Sequence, residues 1–427
     1  MAPTAELLRT LKGVAQAADA SETLVEAASC WVSSLELAEL DNEGDLLGRS
    51  LQAVAVERGN EDDETTHLVK LTLIIIYMRR KCQNVAPRDS LKAEELKIIW
   101  DVIRAALLSR LFAQKRAVRS HQGFLSVPLC DLRKANGDNE ELWRVHLWLP
   151  NRPQPDPEFI IHSHKSYAQS WILAGEGTNG EYEVNSAQEK EAATHAIYAL
   201  VDQRTITHQQ PSTTIENTGK FVNVKGREFE THTRDMSYVV PAATFHTSQV
   251  PLEKAHATIF FFDASRGYFD DGGVSLGPKD LSRVEQNRDP GGVTAAALVS
   301  IVDAVRNWEV AVDEGLSFAR KGEWYEAKLS FGRITKTWNT HRMNLDDGLE
   351  RGSLPTTGND LQSLNRYMDI AQRLVSWTEH IARGQSHDYK GDTTTAMREF
   401  NIALEICCSI PDMTIMRKCQ GVAQAGS

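Results

Sequence analysis

Two stretches near the middle of the chain decide its fold: residues 158–164 read EFIIHSH, and residues 237–251 read SYVVPAATFHTSQVP. Both are short and rich in β-branched and aromatic residues, which favour β-strands. His162 and His164 are two positions apart, and side chains at that spacing on a strand project from the same face. The first stretch therefore predicts two imidazoles on one face, which is half of a metal site. The second stretch contains a further histidine, His246.

More segments of this kind run from about residue 121 to residue 263, and many alternate apolar and polar residues with a period of two. Turn residues such as Thr178-Asn179-Gly180 and Thr218-Gly219 separate them. About ten short strands without a long helix between them indicate a closed or sandwiched antiparallel β-fold. We expect this β-domain to cover residues 119–268, followed by a wrapping or linker segment at 269–292.

The two flanks carry a different pattern, with apolar residues at helical spacing. We expect a helical bundle at residues 1–118 and a second helical domain at residues 293–427. Within the second, residues 315–334 and residues 386–406 share Gly, Ala and aromatic residues at similar spacing. This pattern resembles half of a tetratricopeptide repeat, and a plain helical bundle is the alternative.

Composition narrows the function classes. The net charge of −11 disfavours nucleic acid and anionic membranes as partners, because phosphate binding needs clustered Lys and Arg. The cluster Arg79-Arg80-Lys81 follows an apolar run and is typical of a helix end. No apolar run approaches the roughly 20 residues of a membrane span. Six cysteines in 427 residues form no CxxC pair, which favours a reducing, cytoplasmic location. The oligomeric state stays open.

The first histidine stretch resembles the first motif of the cupin superfamily, which reads HxH, a short gap, Glu and then Gly. His162 and His164 take the histidine positions, Gln169 takes the position of the Glu, and Gly175 takes that of the Gly. The resemblance implies a double-stranded β-helix barrel. The fold class expected for the whole chain is therefore multidomain α+β, a cupin barrel between two helical domains.

The second stretch resembles the second cupin motif, PxG followed by two residues and His. It has Pro241, Ala243 and His246 at those positions, and Asp235 and Ala243 stand where the family has glycines. The resemblance implies that His162, His164 and His246 together hold one divalent metal. The resemblance covers about 145 residues, a third of the chain.

The position of Gln169 bears on the choice of metal. An amide is neutral and a poorer ligand than the carboxylate it replaces, so a neutral three-histidine site is expected. This ligand set is similar to that of the thiol dioxygenases, which implies Fe²⁺, with Mn²⁺, Zn²⁺, Ni²⁺ and Cu²⁺ as alternatives. The Ser-His-Tyr network of those enzymes has no counterpart in this sequence.

Other residues are candidates for the site. Arg144 and His146 alternate with apolar residues, so both would face the barrel interior, where Arg144 could grip a carboxylate and His146 could act as acid or base. Tyr167 is a third candidate catalytic residue because it follows His164 closely. Further candidates for positions beside the metal or substrate are Gln169, Trp171, Glu181 and Glu183.

Three functions follow from these residues. The first is a mononuclear iron oxygenase or dioxygenase acting on a small molecule. The second is a metal-dependent isomerase, epimerase or lyase with Glu181, Glu183 or His146 as the base. The third is a ligand-sensing regulatory cupin whose helical domains bind a protein partner.

Overall fold

The computed structural model describes most of the chain, and the residues described are 3–34, 63–84, 91–134, 137, 139–150, 152, 155–201, 212–287, 293–334 and 358–425. The chain divides into two compact units. The first consists of Met1–Val299 with Ser353–Pro355, and the second of Ser300–Gly352 with Thr356–Ser427. Among the described helices, none is both long and apolar enough to cross a bilayer.

The N-terminal flank is helical where it is described, as the apolar spacing predicts. Its helices are α1 Pro3–Ala18, α2 Glu22–Ser34, α3 Glu64–Asn84 and α4 Ala93–Leu108. In α1, Leu7, Leu11 and Val14 are buried, because residues three and four apart share one helix face. The basic cluster lies in the last turns of α3, where Arg79 and Arg80 both pair with Glu6.

The central region consists of twelve described strands in two antiparallel sheets. The strands are β1 Val118–Arg119, β2 Leu125–Arg133, β3 Asn139–Trp148, β4 Ser166–Ala174, β5 Gly177–Ser186, β6 His195–Leu200, β7 Ser212–His232, β8 Ser237–Val240, β9 Phe245–Gln249, β10 His256–Tyr268, β11 Val274–Gly277 and β12 Arg283–Asn287. The first sheet has the order β1-β2-β3-β10-β4-β8, and the second has the order β11-β6-β7-β5-β9 with β12 beside β7. These strands confirm the predicted mixed α+β class and the antiparallel pairing.

The second sheet curls strongly. Its edge strands are β9 and β11, and His162 forms antiparallel bridges with His246 of β9 and with Ser275 of β11. One residue can reach both edges of a sheet only where that sheet bends towards closure. The curl brings the segment that carries His162 and His164 against the strand that carries His246.

The first sheet is buried on both faces. In β3, Trp143 and Val145 face the N-terminal helices, and Arg144 and His146 face the space enclosed by the strands, since neighbours on a strand alternate. Helix α1 packs on β2, where an added Cβ at Gly13 would collide with the side chains of Cys130 and Leu132. The N-terminal helices therefore cover the outer face of this sheet.

Three details of the strand region differ from the sequence prediction. Thr178-Asn179-Gly180 lies inside β5 and Thr218-Gly219 inside β7, so neither separates two strands. Turn-forming residues are tolerated in strands when cross-strand pairing supplies their backbone partners, as Asn179 does with Glu230 and Ser248. The segment 269–292 carries β11 and β12, and its last five residues, 288–292, lie outside the described residues.

The described helices from residue 295 onward are α5 Ala295–Arg320, α6 at 324–334, α7 Gly358–Tyr389, α8 Thr393–Cys408 and α9 Met413–Ala425. All but the first five residues of α5 belong to the second unit, and one packing contact occurs twice among α5 to α8. An added Cβ at Gly315 of α5 would collide with the ring of Phe331 in α6, and one at Gly384 of α7 would collide with Phe400 in α8. Gly322 and Gly391 have φ values of 76° and 77° at the two intervening turns. The two stretches noted in the sequence thus form two similar helical hairpins.

Candidate metal centre

The histidine triad is assembled by backbone pairing. The N–H of His162 donates to the carbonyl of His246 at 3.0 Å, and the N–H of His246 donates to the carbonyl of His162 at 2.8 Å. The N–H of Ala243 donates to the carbonyl of His164 at 2.8 Å. These three bonds fix the second motif directly beside the first, although more than seventy residues separate them in the sequence.

The three imidazoles converge as the resemblance implies. Their ring centroids are 4.5 Å apart for His162 and His246, and 4.9 Å apart for His164 with each of the others. One nitrogen from each ring lies within 4.8 Å of the other two. The Nε2 atoms of His164 and His246 are 3.0 Å apart, a separation that suits two ligands of one ion at about 2.1 Å each.

Hydrogen bonds fix which nitrogen of two rings faces the centre. The Nδ1 atom of His162 lies 3.0 Å from the carbonyl oxygen of Ile160, and that of His246 lies 2.9 Å from the side-chain oxygen of Asn179. Both partners are acceptors, so each Nδ1 carries the proton and each Nε2 keeps its lone pair. This is the usual support for a metal-ligating histidine. The donor set therefore fits a divalent metal.

The electrostatic surroundings keep the triad neutral. Burial lowers the pKa of His162 below its ordinary value, and it lowers the pKa of His164 and His246 further, with the neighbouring histidines adding to the effect. Charged imidazolium is disfavoured where water cannot solvate it. Neutral imidazole is the form that binds a metal. Within the described residues, no other group of three potential ligands has this geometry.

The two residues that replace glycines in the sequence resemblance have backbone angles typical of glycine. Asp235 has a φ of 67° and Ala243 a φ of 62°, both in the left-handed region that favours glycine. Asp235 lies in the turn before β8 and Ala243 in the turn after it. Both keep the left-handed conformation, and the strain falls on Ala243, which lacks the polar side chain that helps Asp tolerate it.

A cavity of about 440 Å³ opens beside the triad, and all three histidines line it. Arg144 and His146 also line it, as the alternation in β3 predicts. The ring of His146 is stacked between those of Phe124 and Phe260, at centroid distances of 4.1 and 4.7 Å. The structure thus brings two of the three predicted catalytic residues to the cavity that the metal centre faces.

Tyr167 belongs to a different environment. In the pairing of β4 with β10 it lies opposite Asp263, and the guanidinium of Arg266 covers its ring at 4.0 Å. Burial raises its pKa to about 12, so the phenol stays protonated. Its predicted catalytic role stays a prediction, and the described cavity wall does not include it.

Gln169 and Trp171 share the strand face of Tyr167, two and four residues further along β4. The amide oxygen of Gln169 accepts a hydrogen bond from Arg266 at 3.1 Å, and the ring of Trp171 stacks on that of Trp143 at 5.9 Å. Trp171 is therefore engaged on the outer face of the sheet. Gln169 borders the cavity, but its amide oxygen is held by Arg266 and not by the triad.

The two glutamates lie on β5, beside the strand that carries His246. Glu181 is opposite His246 in the register, yet its carboxylate is not among the described groups at ligand distance. Glu183 is exposed and accepts a hydrogen bond from Asn185. Neither glutamate belongs to the group of described residues at ligand distance from one another.

Sequence reasoning missed two features of the site. Asn179, which orients His246, is hidden in a stretch that reads as a turn. The aromatic wall combines Phe124, which precedes β2, with Phe260 and Phe262 of β10, and only the period-two spacing of the last two signals a shared face.

No protein-family model and no curated protein matches the chain. Its function is therefore inferred from the geometry of the site.

Proposed function

We propose that this protein is a metal-dependent cupin, and that it acts as a mononuclear non-haem iron oxygenase or dioxygenase on a small molecule. The observation that carries the proposal is the convergence of three neutral imidazoles at one side of a cavity. The cavity volume of about 440 Å³ lies in the usual range for small-molecule sites, roughly 300–1,000 Å³.

The residues of the site would have two roles, which are to bind the metal and to orient its ligands. His162, His164 and His246 would hold the metal, and Ile160 and Asn179 keep two of these rings in the correct tautomer. A ferrous ion, when bound by three neutral ligands, supplies open positions at which O₂ and a substrate meet.

His146 would act on the substrate. It lines the same cavity, it is 4 % exposed, and burial lowers its pKa well below the ordinary value. A neutral imidazole at this place can accept a proton from a bound molecule or donate a hydrogen bond to it.

Oxygen consumption tests this proposal. The protein is loaded anaerobically with Fe²⁺ and mixed with air-saturated buffer and a panel of small organic acids, alcohols and thiols. We expect substrate-dependent O₂ uptake that His164→Ala abolishes. Metal-dependent turnover without O₂ uptake would contradict the oxygenase and favour the isomerase, epimerase or lyase.

A second function, a ligand-sensing cupin that binds a protein partner, has one observation in its favour. The helical hairpins of the second unit repeat their Gly–Phe contacts, at Gly315 with Phe331 and at Gly384 with Phe400. Repeated hairpins of this kind offer extended binding surfaces. This function predicts that a ligand raises the melting temperature of the protein and that no product forms.

A further inference from the structure

The cavity is lined by positively charged side chains, whereas the whole protein carries a negative net charge. The chain has a net charge of −11, yet the described residues that line the cavity include no Asp or Glu. Four of them are cationic, namely Arg119, Arg133, Arg144 and Lys165, and of these Arg133 is paired with Asp131 at 2.8 Å. A concave wall with one sign of charge concentrates ligands of the opposite sign. The composition of the wall therefore selects for an anion.

One side of the cavity is a continuous aromatic surface. Phe124, His146 and Phe260 form a near-parallel stack with interplanar angles of 26° and 23°. Phe262 meets Phe260 edge-on at 4.6 Å and reaches His164 at 4.9 Å. Aromatic rings pair in offset-stacked or edge-to-face arrangements, so the rings of this stack suit another flat ring. This surface runs from the metal centre to His146, so it suits a planar body lying beside the triad.

Some of the residues that line the cavity carry buried polar atoms without a hydrogen-bond partner among the described residues, and Nε2 of His146 and Oγ of Ser163 are two such atoms. Both side chains are 4 % exposed. Buried polar atoms are normally satisfied, and those that are not call for a ligand or a bound water. Because His146 and Ser163 both line the cavity, these atoms point to a bound molecule with its own donors or acceptors.

Arg144 lies close in the strand register to both the aromatic stack and His146, so a molecule lying on the stack could place a carboxylate against it. It is opposite Phe260 in the pairing of β3 with β10, and it lies on the same strand face as His146, two residues away. Its planar guanidinium matches a carboxylate with two parallel hydrogen bonds. Lys165 directly follows the ligand His164 and adds a second cation on the side of the metal centre.

We propose that the cavity binds a small carboxylate with a flat, unsaturated or aromatic body. The body lies along the Phe124–His146–Phe260 stack, and the carboxylate bonds to the guanidinium of Arg144. The Nε2 atom of His146 bonds to a polar substituent of the body. This substrate class deepens the proposed function and rests on it for catalysis, but binding of the carboxylate depends on Arg144 and not on the metal.

Calorimetric titration with benzoate and its neutral analogue benzamide tests the proposal. Both probes are titrated into Fe²⁺-loaded protein and into chelator-treated protein. We expect benzoate to bind at least about tenfold more tightly than benzamide in both preparations, because Arg144 recognises the charge. Equal affinity for the two probes would overturn the proposal. So would benzoate binding that disappears with the metal, since the anion would then be bound by the ion.

Variants assign the effect to Arg144. We expect Arg144→Met to weaken benzoate binding at least about tenfold and to leave benzamide binding unchanged, and Arg144→Lys to have an intermediate effect. Arg283→Met is the matched control, because Arg283 lies on β12, is exposed, and pairs with Glu216 outside the cavity. Circular dichroism verifies that each variant is folded, and Arg144→Lys retains the test if Arg144→Met does not fold. Loss of benzoate binding in Arg283→Met to the same degree would overturn the assignment.

The calorimetric and O₂-uptake results together distinguish a failure of this proposal from a failure of the proposed function. Arg144-dependent benzoate binding without O₂ uptake for any compound would leave the ligand class standing and remove the oxygenase. O₂ uptake with neutral compounds, together with no preference for benzoate over benzamide, would retain the oxygenase and remove the ligand class.

Discussion

The two faces of strand β3 are built from alternate residues of one short sequence, and they differ in how their polar atoms are satisfied. On the outer face, Glu141 accepts two hydrogen bonds from Arg79, at 3.0 and 2.7 Å, and lies 3.3 Å from the indole nitrogen of Trp143. On the inner face, the Nε2 atom of His146 has no partner among the described residues. Both Glu141 and His146 are less than a tenth exposed.

This difference indicates that the outer face of β3 contributes to stability and the inner face to ligand binding. A buried group whose hydrogen bonds are complete holds the N-terminal helices to the sheet, and removing it should cost stability. A buried group that lacks a hydrogen bond lowers the stability of the free protein. Such groups are found at binding sites, because a bound ligand can form the missing hydrogen bond. Mutations on the two faces should therefore change the free energy of unfolding in opposite directions.

The largest effect is expected on the outer face. Glu141→Gln leaves the buried guanidinium of Arg79 without its main counter-charge, and breaking a buried ion pair costs about 3 kcal/mol or more. Urea denaturation should show this loss in the free energy of unfolding. The neighbouring change Glu140→Gln is the control, because Glu140 pairs with Arg9 at a half-exposed site and should cost less than about 1 kcal/mol. Equal losses in the two variants would contradict the role of the buried pair.

The next effect concerns pH. Burial lowers the pKa of His256 to about 3, against an ordinary value of 6.5. Below pH 6.5 the unfolded chain protonates this residue and the folded chain does not, so its contribution to stability is complete above pH 6.5 and declines as the pH falls. At about 1.4 kcal/mol per pH unit, the loss from pH 6.5 to pH 5 is about 2 kcal/mol.

Denaturation at several pH values measures this contribution. The free energy of unfolding of the wild type should fall more steeply between pH 6.5 and pH 5 than that of His256→Gln, by about 2 kcal/mol over the interval. Parallel curves for the two proteins would show that His256 is not held neutral by burial.

A smaller effect of opposite sign is expected on the inner face. His146→Phe keeps a ring between Phe124 and Phe260 and removes the unpartnered nitrogen, so the free energy of unfolding should rise by about 1 kcal/mol. O₂ uptake by the iron-loaded variant should fall at the same time. A variant that is less stable and fully active would contradict the distinction between the two faces.

The smallest effect is expected in the second motif. Ala243 has a φ of 62°, and a left-handed residue other than glycine carries strain of about 1 kcal/mol. Ala243→Gly should raise the free energy of unfolding by about 0.5 kcal/mol, because the higher entropy of glycine in the unfolded chain offsets part of the relief. Thermal denaturation detects the change, and a lower melting temperature would show that the methyl group of Ala243 stabilises the loop by packing.

The features that could be predicted from the sequence are local ones. The strand period places Arg144 and His146 on one face, and the helical period identifies the flanks, because each depends only on neighbours within a few residues. The pairing of His162 and His164 is local in the same way. His246 needed the resemblance to the cupin motifs, because its approach to the pair depends on the curl of the whole second sheet.

The features that could not be predicted depend on register and on distant partners. Tyr167, Gln169 and Trp171 share one strand face, and no local signal states which face of β4 turns outward, since a shift of one residue reverses the choice. The partner of Glu141 is Arg79, 62 residues away, in a cluster that reads only as a helix end. Hydrogen bonds across such distances follow from the fold and not from the local sequence.

Metal content tests the central claim most directly. The wild type and the variant with His162, His164 and His246 all changed to Ala are loaded anaerobically with Fe²⁺, desalted, and measured by elemental analysis. We predict about one iron per wild-type chain and almost none in the triple variant. His232→Ala and His256→Ala serve as controls that keep the metal, because neither residue belongs to the triad. A wild type that holds no more metal than the triple variant would contradict the account.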